Sequence, residues 1–522
     1  MNSHSHTQFL SKYHLARKPH SSKLGLTVTA LTLGWMITSG YAAQGDSLWK
    51  FNADFGVTVV VPIDDLSGNG GMDVLVGSQD DSLYLVEGKG PNAGNQLWSR
   101  HFKSTLSASA PIPDINGDGK PDVVAGDQFG LIGCYSGATG DTLWLDITFG
   151  TILSLTAVPD VNGDNIPDIA AGSENDTVYM YSGKQSSRLG KSLWKFGIPA
   201  LMNHPGSPAA GKSPAKSAAG GKPVATPMGA NSLAVLYQKT GGAFGLVVGT
   251  SSDTVYCLAI ANGAVKWKTG LPGDAWKVLA FPDQDGDGID EVLLACGADE
   301  GMLLSGATGG ILWTHNVTFG ATSIGIITDM NGDGKSDALI GDGNGAVHCV
   351  SGAAKGLNVK SEWTFSFRDT STILSVASMG DLDKDGKGDC VVGTSSDLVA
   401  IINGNGAKTW SVNLGGEVPE VVSLGDLNND GLQDLVAGTS MGFAQAFSGG
   451  GSGTSIFKLG AKQNITNMSM PTITLGRTSN GAFGIGFIPP GKHLSKWFDS
   501  RGRVKTLVTP PSPKILNPSR TK

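Results

Sequence analysis

The residues best placed to do chemistry in this sequence are the acids of Asp114-Ile-Asn-Gly-Asp-Gly-Lys-Pro-Asp122. Asp114, Asn116, Asp118 and Asp122 occupy positions 1, 3, 5 and 9 of a stretch whose glycines allow a tight turn. Side-chain oxygens spaced two residues apart on a turning backbone converge on one point, which suits a hard cation such as Ca²⁺. With no His or Cys in the set, softer metals are disfavoured.

The pattern recurs along the chain. Asp160, Asn162, Asp164 and Asp168 repeat it, as do Asp329, Asn331, Asp333 and Asp337, and Asp426, Asn428, Asp430 and Asp434. Two loops offer four carboxylates each: Asp283, Asp285, Asp287 and Glu291, and Asp381, Asp383, Asp385 and Asp389. The first loop is the poorest, with Asp65 and Asp73 supported by Ser67 and Asn69, and is expected to bind most weakly. Acids packed this closely repel one another without a counter-ion. The sequence therefore predicts up to seven Ca²⁺ ions and a thermal stability that falls on chelation.

These loops need elements to hold them. A strand-like apolar run, such as Val123-Val-Ala-Gly126, follows each one, and a Trp sets the register. Trp49, Trp98, Trp144, Trp313 and Trp410 each lie 16 residues before a first loop Asp, and Trp363 lies 18 before Asp381. Trp267 keeps the spacing of 16 before Asp283. A further unit keeps its strand, Leu246-Val-Val-Gly249, while its loop from Tyr237 to Gly245 has lost every carboxylate. Each unit of 45–50 residues reads as four short strands with Trp on the outermost, and units of that length are propeller blades. The expected fold is all-β: an eight-bladed β-propeller of four-stranded antiparallel blades with DxDxDG-type calcium loops, over residues 44–460. Nine outer-strand signatures (counting Phe457) against eight loops leave one chain end to complete the blade begun by the other.

The loop pattern, with Phe-Gly pairs such as Phe149-Gly150 and Phe319-Gly320, resembles the FG-GAP/VCBS repeats of integrin-α-like propellers. Tyr135-Ser-Gly-Ala-Thr-Gly-Asp-Thr-Leu-Trp144 and Leu304-Ser-Gly-Ala-Thr-Gly-Gly-Ile-Leu-Trp313 resemble the outer strand of quinoprotein (PQQ-like) propellers. The first resemblance implies a calcium-binding scaffold for a protein or glycan ligand, met on the face away from the metal loops, as in cell adhesion. The second implies an alternative, a PQQ-dependent dehydrogenase, for which the chain lacks the vicinal Cys pair common in that family. A Ca-dependent polysaccharide lyase is a further alternative, without a basic–acidic constellation to support it. No nucleophile motif, phosphate-binding glycine loop or His-rich metal motif is present, so no catalytic residue is assigned.

Several other residues have plainer readings. Cys134, Cys257 and Cys349 fall 12 residues after the ninth loop position and Cys390 one after it, where other units carry apolar residues, so they read as core. The odd total of five excludes a complete disulfide framework. Asp81, Asp176, Asp253, Asp299 and Asp397 alternate with Gly130, Gly345 and Gly442 at one position, which fits a hairpin turn better than an acidic ring. His348 reads as an isolated structural residue.

The ends differ in charge from the middle. Residues 1–43 carry four basic residues and no acids, with an apolar run from Leu24 to Gly40 before Ala42 and Ala43, and read as a signal peptide. The protein is then expected to be exported (extracellular, cell-surface or periplasmic), with no membrane span after cleavage. The tail 461–522 carries +9 and contains short strand-like runs, one of which faintly resembles a bacterial sorting segment. The overall charge of −7 leaves −20 on the repeats, which suits bound cations and argues against nucleic acid. Residues 203–231, rich in Pro, Ala, Gly, Ser and Lys, read as a disordered insertion between blades, and the segment 195–231 is expected to border the protein or glycan site.

Overall fold

The computed structural model describes residues 42–185, 187–199, 229–368 and 371–450, with four short strands between 472 and 505. The expected signal segment to residue 41, Phe457, and residues 203–228 of the insertion lie outside the described residues. Residues 230 and 231 belong to a strand, Ala230–Tyr237, so the insertion ends earlier than its composition suggests.

The strands of residues 47–447 form eight four-stranded antiparallel sheets. Blade 2 is representative. Its strands run, from inside to outside, Leu106–Ile112, Asp122–Asp127, Leu131–Tyr135 and Thr142–Ile147. The second strand is buried along its whole length because blades cover both its faces, which is why it reads as an unbroken apolar run. Blade 1 spans residues 57–101, blade 3 152–197, blade 4 230–270, blade 5 275–316, blade 6 321–366 and blade 7 373–413. Blade 8 has three strands from residues 420–447, and its outer strand is the N-terminal Ser47–Asn52. Trp49 there pairs with Ala446, so the start of the propeller latches its end.

The core lies between blades, not along a central axis. Eight buried apolar clusters each combine side chains of two adjacent blades, and together they close the circuit. Hydroxyls near the inner strands stitch neighbours: Thr58, Ser107 and Thr322 donate to the carbonyls of Leu106, Ile152 and Ile373 at 2.6–2.7 Å. All five cysteines are buried and free, as expected of core residues. The hairpin Asp reading also holds. Asp81, Asp176, Asp253, Asp299 and Asp397 all adopt positive φ, as Gly130, Gly345 and Gly442 do.

In this meander the first-to-second loop and the third-to-fourth turn share one face of the ring. The second-to-third hairpin and the blade-to-blade connection share the other. The tail forms two hairpins of its own, Thr472–Arg477 with Phe483–Ile488 and Trp497–Phe498 with Val504–Lys505. Among the described residues no helix is long and apolar enough to cross a membrane.

Candidate metal centre

The seven acidic loops share one construction. The first Asp turns the chain by accepting amides with both oxygens. Asp114, for example, takes Gly117 N–H at 2.6 Å and Gly119 N–H at 2.7 Å, and Asp329 takes Gly332 and Gly334 at 2.6 Å each. At the third position of six loops one oxygen takes the amide of the fifth residue, as Asn116 does from Asp118 at 2.9 Å and Asp285 from Asp287 at 3.0 Å. In the first loop the Ser67 hydroxyl instead donates to Asp65 and Asp73 at 3.2 Å. At the fifth, one oxygen takes the amide of the seventh, as Asp118 does from Lys120 and Asp333 from Lys335, both at 2.9 Å. Asp118 and Asp333 each keep a second oxygen that binds no backbone amide. In the two loops with Asp at position 3 these groups converge: Asp283, Asp285 and Asp287, and Asp381, Asp383 and Asp385, each present oxygens within 4.8 Å of one another. An all-oxygen set of this charge and spacing fits Ca²⁺.

The ninth carboxylates are placed differently. Asp73, Asp122, Asp168, Glu291, Asp337, Asp389 and Asp434 are buried at the floor of their loops. One oxygen of each accepts the second residue's amide at 2.7–3.0 Å. The other accepts a Gly amide from the third-to-fourth turn at 2.9–3.1 Å. That Gly (88, 137, 183, 306, 352, 404 or 449) is a junction. In five blades its carbonyl also accepts the indole N–H of the preceding blade's outer Trp. Trp49, Trp98, Trp144 and Trp267 donate at 2.7–2.8 Å, and Trp313 at 3.4 Å. The Trp spacing seen in the sequence is thus the spacing of a clamp that ties one blade to the next blade's loop.

Position sets the acidity of these groups. Burial works against ionisation of Asp114, but the amides of Gly119, Gly117 and Asp118 outweigh it and hold its pKa below the ordinary value. Burial dominates at the ninth position. It pushes Asp337, Asp389 and Asp434 up to about 6, and neighbouring loop carboxylates add to the effect.

Sequence reasoning missed a further ring of site residues, 14 after the ninth position. Ser136, Ser182, Ser351 and Ser448 set hydroxyls 3.3–3.4 Å from the fifth-position carboxylates. In blade 7 Asn403 donates to Asp383 at 3.0 Å. In blade 1 the residue is Glu87, buried and accepting Asn69 Nδ2 at 3.1 Å, so the poorest loop gains a third carboxylate. An oxygen-bearing residue at that spacing in every acidic unit was the available signal.

Loop 5 has a competitor. Lys239, from the acid-free turn of blade 4, sets its ammonium 2.5 Å from Asp283. Its own amide donates to Gly288 O at 2.8 Å, so the blade 4 turn lies directly on the acidic loop of its neighbour.

A family model described as an FG-GAP-like repeat matches residues 329–392 and 381–437, which hold loops 6, 7 and 8. The chain is a β-propeller carrying FG-GAP-like repeats. No curated protein matches it. Among solved structures, these repeats superpose on Sqt1 of Saccharomyces cerevisiae at 13% identity and a TM-score of 0.60, covering 78% of this chain and 99% of that one. Sqt1 of Chaetomium thermophilum gives 11% identity and a TM-score of 0.57 over 78% and 99%. A computationally designed protein, Ika8, gives 14% and 0.50 over 78% and 99%. At such identities the likeness is one of fold alone.

Proposed function

We propose that this chain is an exported, calcium-clamped propeller that docks a protein partner on the face opposite its acidic loops. The observation that carries the reading is Phe149, which is 87% exposed while holding a φ of 61°. A left-handed backbone at a bulky residue costs about 1–2 kcal/mol, and presenting the ring to water forgoes its burial. Folding gains nothing from either, so the ring serves a contact outside the chain.

It has company. Phe55, Phe129, Phe319 and Met441 are each more than 60% exposed and stand in the hairpins and connections of the same face. Phe319 repeats the positive φ. Asp54, Asp80, Asp81, Glu174, Asp176 and Glu417 stand in these turns, against Lys103 and Arg368. Apolar knobs among acids suit a basic polypeptide with apolar side chains better than a neutral glycan. A propeller of similar fold, Chaetomium thermophilum Sqt1, has been solved bound to the N-terminus of a ribosomal protein, L10. The cation loops on the other face hold the blades in place, and the chemistry of the chain is binding rather than turnover.

The test is retention of a partner from the native envelope and medium on immobilised chain. Wild type is expected to retain a polypeptide that Phe129→Ser/Phe149→Ser does not, with the Ca²⁺ dependence of melting the same in both. Identical retention by the two would sink the reading.

A further inference from the structure

His348 is not the isolated residue its sequence context suggests. It stands on the third strand of blade 6, and His315 reaches it from the outer strand of blade 5, with ring centroids 4.9 Å apart. His315 Nε2 and His348 Nδ1 face each other at 3.2 Å. The remaining nitrogen of each ring is tied to an acceptor. His315 Nδ1 donates to Val359 O at 2.7 Å, and His348 Nε2 lies 3.5 Å from Asp342 Oδ2. A carbonyl and a carboxylate accept only, so these ring nitrogens carry the hydrogens. With these tautomers the two facing nitrogens are both lone pairs, and a cation between them, a proton or a metal ion, relieves the contact.

We propose that His315 Nε2 and His348 Nδ1 hold a zinc-class divalent cation, distinct from the calcium loops. The spacing fits. Two nitrogens bound at 2.0–2.1 Å around a tetrahedral ion stand about 3.3 Å apart. The outer partners fit as well, because a metal-binding imidazole characteristically gives its other N–H to a carboxylate or backbone carbonyl. Asp342 is fixed for that task by the amides of Asn344 and Ala346 on its Oδ1, at 3.0 and 2.7 Å. Val359 is delivered by the lengthened turn of blade 6, whose residues 356–359 pair with the outer strand of blade 5. That lengthening sets Trp363 26 residues after Asp337, where Trp313 follows Glu291 by 22. Thr364 Oγ1, 3.2 Å from His348 Nδ1 on an exposed residue, opens the site to water and to entry of the ion.

The experiment is Zn²⁺ binding to the full chain in excess Ca²⁺, read against a chromophoric zinc indicator. Wild type is expected to bind one Zn²⁺ more than His348→Gln, since ions held by the N-terminal histidines cancel in the difference. Asp342→Asn, which keeps both nitrogens but loses the acceptor, should weaken that ion about 10- to 100-fold. Thr364→Cys, a change on an exposed strand, should tighten it at least tenfold by adding a thiolate. Equal stoichiometry in wild type and His348→Gln overturns the proposal. So does an unchanged affinity in Thr364→Cys, which decides the matter even if the His variant fails to fold. Melting that shifts between pH 5 and 7 but ignores Zn²⁺ would mean that a proton takes the place, and would overturn it too.

Discussion

Blades 4 and 5 are neighbours that make the same first-to-second turn by different means. In blade 5 the turn is nine residues of acidic loop, its amides gathered by the carboxylates of Asp283, Asp285, Asp287 and Glu291. In blade 4 the strands Ala230–Tyr237 and Ala243–Thr250 run to eight residues each and meet in a short turn closed by backbone bonds at Gln238, Gly241 and Gly242. Both blades keep the Trp clamp. Trp194 donates to Ile260 O at 2.8 Å as Trp267 does to Gly306 O at 2.7 Å. A plain hairpin therefore suffices to build a blade. The acids of the other seven are more than a way to turn the chain, and the proposed cation accounts for their shared charge.

Taken site by site, the largest effect should come from the junction glycines. A Cβ on Gly306 would lie 1.8 Å from Asp290 O and one on Gly137 1.9 Å from Pro121 O, whereas blade 4 carries Ile260 at the matching place. Gly306→Ala is expected to destabilise by about 3 kcal/mol or more, the upper range for forced overpacking, and Ile260→Ala by less. Urea melts that rank the two the other way would show that the blades are not built on one plan.

Next comes removal of the cation. With Ca²⁺ at about a hundred times its dissociation constant, each filled loop adds about 2.7 kcal/mol to folding, and EDTA should take that away. Asp285→Asn and Asp383→Asn should each reduce the shift in calorimetric melting, while changes in the blade 4 turn leave it alone. A melting point indifferent to EDTA would remove the distinction between blade 4 and the rest.

The same contrast predicts a reversal with pH. Asp337, Asp389 and Asp434 sit at about 6 in the folded chain against an ordinary 3.8, so below pH 7 the folded chain takes up protons that the unfolded chain does not. Without Ca²⁺ the melting point should therefore rise as pH falls from 7.5 to 5. The first-position acids, held below their ordinary value, turn this gain into a loss only below about pH 4. With Ca²⁺ present, protons compete with the ion and the same fall in pH should lower the melting point. Curves of the same slope in both conditions would contradict the loop chemistry.

The smallest effect concerns Lys239. Its ammonium on Asp283 is exposed and screened, so Lys239→Met should tighten Ca²⁺ at loop 5 by less than about tenfold. Calcium titration of the variant, with Asp283→Asn as the reference for a lost loop, gives the comparison. Weaker binding in Lys239→Met would make the lysine a support rather than a competitor.

Much of this was legible in the sequence because it is local and repeated. The Asp loops, the Trp register and the Asp-or-Gly hairpins each follow from chemistry within a few residues, and seven copies amplify the signal. Missing from view were contacts made between blades. The paired His315 and His348 lie 33 residues apart, and nothing in strand alternation reveals that one outer strand faces the next blade's third strand. Glu87 was hidden for a related reason. It looks like a turn residue until the third-to-fourth turn folds back over the loop, bringing it beside Asn69. The junction glycines were visible as letters, but their role needs two partners from two blades.

The latch has a consequence in time. Gln445 Nε2 reaches Ser47 Oγ across 398 residues of chain, alongside the strand pairing that completes blade 8. Closing a segment that long costs about 5 kcal/mol of chain entropy beyond the shortest closures. At roughly 5–20 residues per second, the strand at residue 47 is made about 20–80 seconds before the partner it must join. Throughout that interval Ser47–Asn52 is an unpaired edge ahead of blades already able to pack. The last event of folding is therefore the return of the first strand to be made.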